Sequence, residues 1–327
     1  MLQAFTCADG KVRRIIEPHG QDDLRNAVWI DLQEPTPAES EHVRRITGLH
    51  VPTEREVDEI EMSSRLAVRN NAIYLSIPVI ARRDEMTTGV AAGFVLSPER
   101  LLTVRFAPNF VFDHYASTLT QEGVPHESAP HLLIGLLEAY VDRKADLLEQ
   151  IRHDFERISH TIFAPGTMRG TGRKTEDALL RQTLGELGRI GDMNSHIRET
   201  LVAISRVPPF LQSTAADWLP KDLEPRLATL RQDVTSISDF GTHLTDKQQF
   251  LLDATLGFIN IAQNDVMKVM AIASVVGIPP VLVVGVYGMN FKFMPELEWA
   301  WGYAYAWAVI ILSTLIPMAM FRWRKWI

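Results

Sequence analysis

Hydrophobic residues in the last 60 positions form two long runs without a charged side chain. One run lies between Lys268 and Lys292, the other lies between Glu298 and Arg322, and each contains 23 residues. A helix of that length extends roughly 34 Å, which is enough to cross a bilayer core of about 30 Å. Aromatic side chains flank the second run on both sides, as is typical of membrane interfaces: Trp299, Trp301, Tyr303, Tyr305, Trp307, Trp323 and Trp326. The pattern predicts two transmembrane helices, and the alternative is a buried helical hairpin of a soluble protein.

Basic residues concentrate at the outer ends of this pair of runs. The connecting loop has one basic residue beside Glu296 and Glu298, whereas the outer flanks carry Lys268, Arg322, Arg324 and Lys325. Because positive charge favours the cytosolic side, we predict cytosolic termini and a short outer loop. The first residues lack the apolar core of a signal peptide. These features predict a multi-pass protein of the cytoplasmic (inner) membrane.

The first part of the chain alternates short apolar runs with helical patterns. Strands rich in β-branched and aromatic residues are predicted over 27–32, 72–80, 91–96 and 101–106. Thr36 with Glu39, and Thr53 with Glu56, are capping boxes that predict two helix starts. The pattern predicts an N-terminal cytosolic α/β domain within an α+β chain.

Long helical patterns follow from about residue 131. The second predicted helix covers about 176–206, and a third begins near Leu223 and, after Pro225 in its first turn, meets no proline until Pro279. Apolar residues of the third form a weak coiled-coil seam suited to self-association, interrupted at Gly241 and Gln248. The predicted organisation is a cytosolic α/β domain (1–125), a helical stalk (126–265), a first span (266–290), a short outer loop (291–299), a second span (300–321) and a basic tail (322–327).

Charge and motifs exclude several function classes. The net charge is −7, and the 28 basic and 38 acidic residues before Lys268 make that region acidic, which argues against a nucleic-acid partner. Cys7 is the single cysteine, so neither an intrachain disulfide nor a cysteine zinc site can form. The 166–175 loop lacks the Gly-Lys pair of a phosphate loop, and His153 and His160 lack paired metal spacing. We predict that the chain is not an enzyme.

One face of the first span combines apolar residues with polar ends. Six positions recur at three- and four-residue spacing, with Ala271 an alternative to the third: Asn264, Met267, Met270, Ser274, Ile278 and Val281. On an isolated helix this face would contact lipid or another helix. In a ring of identical subunits it would line a narrow, mostly apolar pore. The spacing alone leaves both alternatives open.

The segment after this span carries the most specific motif of the chain. It reads Tyr287-Gly288-Met289-Asn290 and is followed by Met-Pro-Glu-Leu at 294–297 and a basic, aromatic ending at 321–327. Together with the segments at 27–35, 55–66 and 257–264, it resembles the CorA family of magnesium and cobalt transporters. The resemblance covers the full length of the chain.

This resemblance implies a funnel-shaped homopentamer in which the first span lines the pore. Gly288, Met289 and Asn290 would form the selectivity filter, with five Asn290 amides holding a hydrated ion. Met267, Met270 and Ile278 match hydrophobic constriction positions, and Asn264 matches a polar ring at the cytosolic end. Val281 departs from relatives that carry a hydroxyl there. The partners implied are a second copy of the chain, the lipid bilayer and divalent cations.

The resemblance also implies control by the transported ion. Intracellular Mg²⁺ would bind between cytosolic domains and hold the pore closed, with Asp253 as one acidic ligand. Asp84, Glu85 and the 54–61 stretch are candidates for its partner. Mg²⁺ would be both transported and regulatory, with Co²⁺, and as an open alternative Ni²⁺, as further transported ions. A zinc transporter of the same architecture and a non-conducting membrane-anchored sensor remain as alternatives.

Overall fold

The structure is a computed structural model of the chain. It describes residues 1–8, 11–18, 20–59, 65–83, 86–121, 128–163, 173–290, 292, 294–324 and 326. The chain divides into two compact units. The first contains Met1–Thr171 and Arg181–Leu252, and the second contains Gly172–Leu180 and Asp253–Ile327.

A mixed β-sheet forms the centre of the first unit. Within the described residues it has seven strands in the order β2-β1-β3-β7-β6-β5-β4, and all neighbours are antiparallel except β3 and β7. The strands are β1 (Leu2–Ala8), β2 (Lys11–Ile16), β3 (Ala27–Gln33), β4 (Leu66–Arg69), β5 (Ala72–Arg83), β6 (Met86–Leu96) and β7 (Leu101–Arg105). The four predicted strands are therefore confirmed, and β5 and β6 extend beyond their predicted bounds. Strands β1, β2 and β4 were not predicted.

Helices cover both faces of the sheet. The short N-terminal helices are α1 (Gln21–Arg25), α2 (Pro37–Thr47) and α3 (Glu54–Val57), and Leu24, Val43 and Val57 from them join one apolar core. The later helices are α4 (Phe110–Leu119), α5 (Ala129–Phe163), α6 (Arg173–Ser205), α7 (Val207–Thr214), α8 (Leu223–Tyr287) and α9 (Gly302–Trp323). Both predicted capping boxes form, at the starts of α2 and α3.

The opposite face of the sheet carries a buried ion pair. Asp31 on β3 and Thr103 and Arg105 on β7 point to the same side, because alternate residues of a strand share a face. The Arg105 guanidinium lies 3.0 Å from Asp31 Oδ2 and 2.8 Å from Asp113 Oδ1. Thr103 donates to Asp31 at 2.6 Å and accepts from Trp29 Nε1 at 3.0 Å. Burial raises the pKa of the Asp31 carboxyl despite the neighbouring guanidinium.

The long helices correct two details of the sequence analysis. The Val-Pro-Pro-Phe segment at 207–210, which follows the second predicted helix and was not predicted to be helical, begins helix α7, because proline is tolerated in the first turn of a helix. Helix α8 has 65 residues and continues through Pro279 and Pro280. Its predicted seam is buried within the single chain, since Leu230, Val234 and Leu244 are each 1% exposed. At these positions the seam packs within the chain, so its apolar spacing does not by itself indicate self-association.

Candidate functional site

The two apolar helices at the end of the chain are uncovered. Among the described residues, α8 and α9 are the helices long and apolar enough to cross a membrane. In the most apolar 18-residue stretch of α8 no residue is buried, and in that of α9 only 6% of the residues are buried. A core hairpin of a soluble protein would be enclosed by its own chain, so this exposure argues against that alternative. The two helices fit the two predicted spans.

Every predicted pore residue is exposed in the single chain. On α8 the exposed fraction is 65% for Met267, 63% for Met270, 63% for Ile278 and 71% for Val281. The remaining positions are also exposed: Asn264, Ser274, Gly288, Met289 and Asn290. Large apolar side chains at this exposure indicate contact with lipid or with other subunits. One helix presents these residues on a face but cannot enclose an ion path by itself.

Helix α8 ends just before the predicted filter. The Gly288 amide donates to the Val284 carbonyl at 2.9 Å, and the Met289 amide donates to Val286 at 3.1 Å. A Cβ added to Gly288 would lie 3.3 Å from the Val284 oxygen, so the absence of a side chain permits the close approach. Gly288 does not have a positive φ, so its role is close packing rather than a left-handed turn. Asn290 follows outside the helix with its side chain exposed.

The connecting segment turns the chain back into α9 by close backbone contacts. A 3₁₀ turn covers Pro295–Glu298, and the Gly302 amide donates to the Trp299 carbonyl at 3.0 Å. A Cβ added to Gly302 would collide with the Glu296 carbonyl oxygen. The rings of Trp299 and Tyr305 pack at 5.8 Å in an edge-to-face arrangement. These contacts therefore fix the backbone that leads from Pro295 into α9.

Sequence reasoning missed a small-residue side of α8. A groove of about 700 Å³ runs beside Ile278 and Val281 and is almost wholly apolar. Ala273, Gly277 and Gly285 contribute to it, and a Cβ added to either glycine would meet no atom within 4 Å. The four-residue and eight-residue spacings of these residues were visible in the sequence and could have indicated a face for close helix packing.

The predicted regulatory residues lie partly within the described part of the chain, and those that are described do not form a metal site. Asp253 lies on α8 and is exposed. Glu56 accepts from Thr53 and from His50, and although partial burial opposes them, these hydrogen bonds lower its pKa. Asp84, Glu85 and residues 60–61 lie outside the described residues. In the described part of the chain, no three His, Cys, Asp or Glu side chains are grouped to hold a metal ion.

Comparison with known proteins identifies the family. The family model described as CorA-like Mg²⁺ transporter protein matches residues 25–324. The chain belongs to this CorA-like transporter family. The match confirms the resemblance drawn from the motif after the first span, and a family of transporters agrees with the prediction that the chain is not an enzyme.

Relatives and a solved structure extend this result over the whole chain. The chain is 33% identical over 328 residues to the magnesium transport protein CorA of Yersinia pseudotuberculosis, and each chain is covered completely. It is 32% identical over 329 residues to that of Escherichia coli K12, again with complete coverage of both. The structure of CorA from Methanocaldococcus jannaschii matches with a TM-score of 0.77 at 18% identity, covering 100% of this chain and 99% of that one. This similarity confirms the predicted α/β domain, long helix and two C-terminal apolar helices.

Proposed function

We propose that this CorA-family protein is a magnesium channel of the cytoplasmic membrane. Five copies would surround a pore lined by α8, and the membrane potential would drive hydrated Mg²⁺ into the cell. Co²⁺ would be a further transported ion, and Ni²⁺ is an open alternative. The observation that carries the proposal is the exposed face of α8, which ends at the Tyr-Gly-Met-Asn motif in a chain of this family.

The chemistry of Asn290 suits the outer mouth of such a pore. Mg²⁺ gives up its water reluctantly, so a selective mouth can hold the hydrated ion by hydrogen bonds. An amide oxygen accepts hydrogen bonds from the bound water without the tight trapping that a ring of five carboxylates would cause. Gly288 and Met289 would complete this filter, and the turn at Gly302 would fix the adjoining loop.

The rest of the pore face supports gating by an apolar constriction. Met267, Met270 and Ile278 would exclude water and ions when the pore narrows. Val281 has no hydroxyl and would extend the apolar stretch of the pore face. Ser274 would then be the polar residue of that face inside the span. Asn264 would form a polar ring at the cytosolic end. Neither span contains an acid or a base that could serve as a proton relay.

Closure by internal Mg²⁺ completes the proposal. Asp253 would bind the ion together with acidic residues of an adjacent subunit, where Asp84, Glu85 and the 54–61 stretch are candidates. Carboxylates that face one another repel without a cation between them, so loss of Mg²⁺ would favour separation of the subunits. The orientation proposed is the one given by the basic flanks, with both termini in the cytosol.

Ion influx into proteoliposomes with an inside-negative potential tests the proposal. Wild type should admit Mg²⁺, and raised internal Mg²⁺ should reduce the influx. Asn290→Ala should abolish selective influx while the oligomer forms as before. The control is Asn26→Ala, which removes an exposed amide in right-handed helical backbone of the first unit and should leave influx unchanged.

The same experiment separates the alternatives. Zn²⁺ influx without Mg²⁺ influx would assign the protein to zinc transport. Absence of influx for both ions would favour the membrane-anchored sensor. Full Mg²⁺ transport by Asn290→Ala would refute the filter assignment while leaving the channel proposal intact.

A further inference from the structure

Helices α6 and α8 cross at two glycines, each covered by an amide side chain of the other helix. At the first, the Gln248 side chain of α8 lies against Gly191 of α6, where an added Cβ would collide with it. Gln248 Nε2 donates to the Leu187 carbonyl at 3.1 Å. The amide therefore binds the backbone of α6 in a space that only glycine leaves open.

The second crossing reverses the roles of the helices. Asn194 of α6 is 2% exposed, and its Nδ2 donates both to the Gly241 carbonyl and to Thr245 Oγ1 of α8, each at 3.0 Å. A Cβ added to Gly241 would lie 3.3 Å from Arg198 Cγ and 3.5 Å from Asn194 Oδ1. The four residues Gly191, Asn194, Gly241 and Gln248 are named the amide–glycine clamp.

The clamp interrupts an otherwise apolar contact. Ile190 and Ile197 of α6 and Leu244 and Leu251 of α8 are at most 2% exposed. An apolar seam alone tolerates slippage by a turn, because one leucine can replace another against the same surface. A buried amide has no such freedom, because its hydrogen-bonding partners lie at fixed positions, and leaving it unpaired is costly. This explains why Gly241 and Gln248 stand where a coiled coil would have apolar residues.

A shift by one helical turn, about 5.4 Å, would disrupt both crossings. One turn from Gly241 on either side are Ile237 and Thr245, and one turn from Gly191 are Leu187 and Ser195. Each of these residues has a Cβ, which would collide with the Gln248 amide at the Gly191 position and press on Arg198 Cγ at the Gly241 position. In the observed register the amide nitrogens of Asn194 and Gln248 both donate to the opposite helix, and each amide lies beside a glycine of that helix.

We propose that the amide–glycine clamp sets a single register between α6 and α8 and makes these helices move as one body during gating. The register does not depend on the proposed function. The consequence of this register for gating rests on the proposed channel function. If α8 slid along α6, the binding of internal Mg²⁺ to the cytosolic part would move the pore-lining part of α8 less.

Spin-label distances in the full-length protein test the register directly. Cys7→Ser removes the natural thiol. Ser195→Cys and Asp246→Cys, both at exposed positions, then provide the two thiols that carry the spin labels. The unaltered clamp and the control Thr242→Ala, which changes an exposed neighbour, should give one narrow distance. Asn194→Leu combined with Gly241→Ala should broaden the distribution or add a second distance shifted by about 5 Å. A single unchanged distance in that variant would overturn the proposal.

Milder variants keep the test informative if the double variant does not fold. Thr245→Ala and Gln248→Leu each remove one polar contact of the clamp and should broaden the same distance distribution to a smaller extent. Unchanged distances in both would also overturn the proposal.

Transport supplies the second readout. In proteoliposomes, the internal Mg²⁺ concentration that halves influx should rise roughly threefold to tenfold in Gln248→Leu, the effect of losing a partly buried hydrogen bond, and stay unchanged in Thr242→Ala. An unchanged value in Gln248→Leu would refute the gating consequence. Lack of inhibition by internal Mg²⁺ in wild type would instead refute the regulatory part of the proposed function, and the spin-label distances would then decide the register alone.

Discussion

The sheet region and the two apolar helices use similar residues in opposite ways. In the sheet region, large apolar side chains such as Trp29, Phe94 and Leu102 are fully buried by their own chain, and the charged Arg105 is buried with its partners. In the two predicted spans, by contrast, most large apolar side chains are exposed, and the spans contain no charge that needs a partner. The first region covers its own apolar side chains, whereas the second presents an apolar surface that fits a bilayer.

Arg105→Ala should give the largest effect on the sheet region. It would leave the Asp31 carboxylate buried without its cation, and we expect a loss of about 3–5 kcal/mol in the free energy of unfolding. The matched control is Arg157→Ala, which removes an exposed guanidinium paired with Asp154 and Glu186 and should cost less than about 1 kcal/mol. Chemical denaturation of the full-length protein in detergent measures both. Equal losses would contradict the distinction between buried and surface ion pairs.

Lys144 offers a pH-dependent test of the same region. It is 2% exposed, and burial lowers the pKa of its ammonium group to about 8. Because the folded-state pKa lies below the unfolded value, the ammonium destabilises the fold most below pH 8, and stability rises as pH increases above it. Lys144→Met should therefore stabilise the protein by roughly 2–3 kcal/mol at pH 7 and by about 1 kcal/mol less at pH 9.

Unfolding curves at the two pH values check this prediction. The control Lys221→Met, at an exposed position just before α8, should show little change at either pH. If Lys144→Met raises the free energy of unfolding equally at both pH values, the gain comes from better packing alone. That result would refute the prediction that the buried ammonium group destabilises the fold.

Gly302→Ala should give a smaller effect, confined to the membrane end of the chain. The added Cβ would collide with the Glu296 carbonyl, and relief of that overlap should cost about 1–3 kcal/mol and shift the loop after Asn290. Gly188→Ala in α6 is the control, since its Cβ would meet nothing within 4 Å and alanine favours a helix. Thermal unfolding and Mg²⁺ influx should both fall for Gly302→Ala only. Equal behaviour of the two variants would show that the turn tolerates a side chain.

The sequence predicted elements best where one local signal was enough. The capping boxes at Thr36 and Thr53 fixed two helix starts, because the cap and its acceptor lie three residues apart in the chain. The strands β1 and β2 were missed, because neither alternates regularly between polar and apolar residues, and they join the sheet only through the pairing of β1 with β3. Helix α7 was not predicted, because two adjacent prolines can follow the end of a helix or stand in its first turn.

The residues of the candidate site also separate into those that the sequence predicts and those whose role depends on the fold. The Tyr-Gly-Met-Asn motif and the three- and four-residue spacing of the pore face are properties of the sequence, and the family match agrees with the motif. The packing roles of Gly288 and Gly302 could not be predicted, because each depends on a carbonyl oxygen brought near by the fold. The amide–glycine clamp was visible only as two interruptions of an apolar seam, since its partners on α6 lie about 50 residues away along the chain.

By itself, the sequence determined the two apolar spans, the capped helix starts, the acidic N-terminal part and the family motif. These are local properties, set by residue type and by spacing along one helix or strand. The tertiary structure decided the pairing order of the sheet, the burial of Asp31 with Arg105, the use of the α8 seam inside the chain and the crossing with α6. Each of these depends on which distant segments meet, and the free energy of burying them together is not encoded in any short stretch of residues.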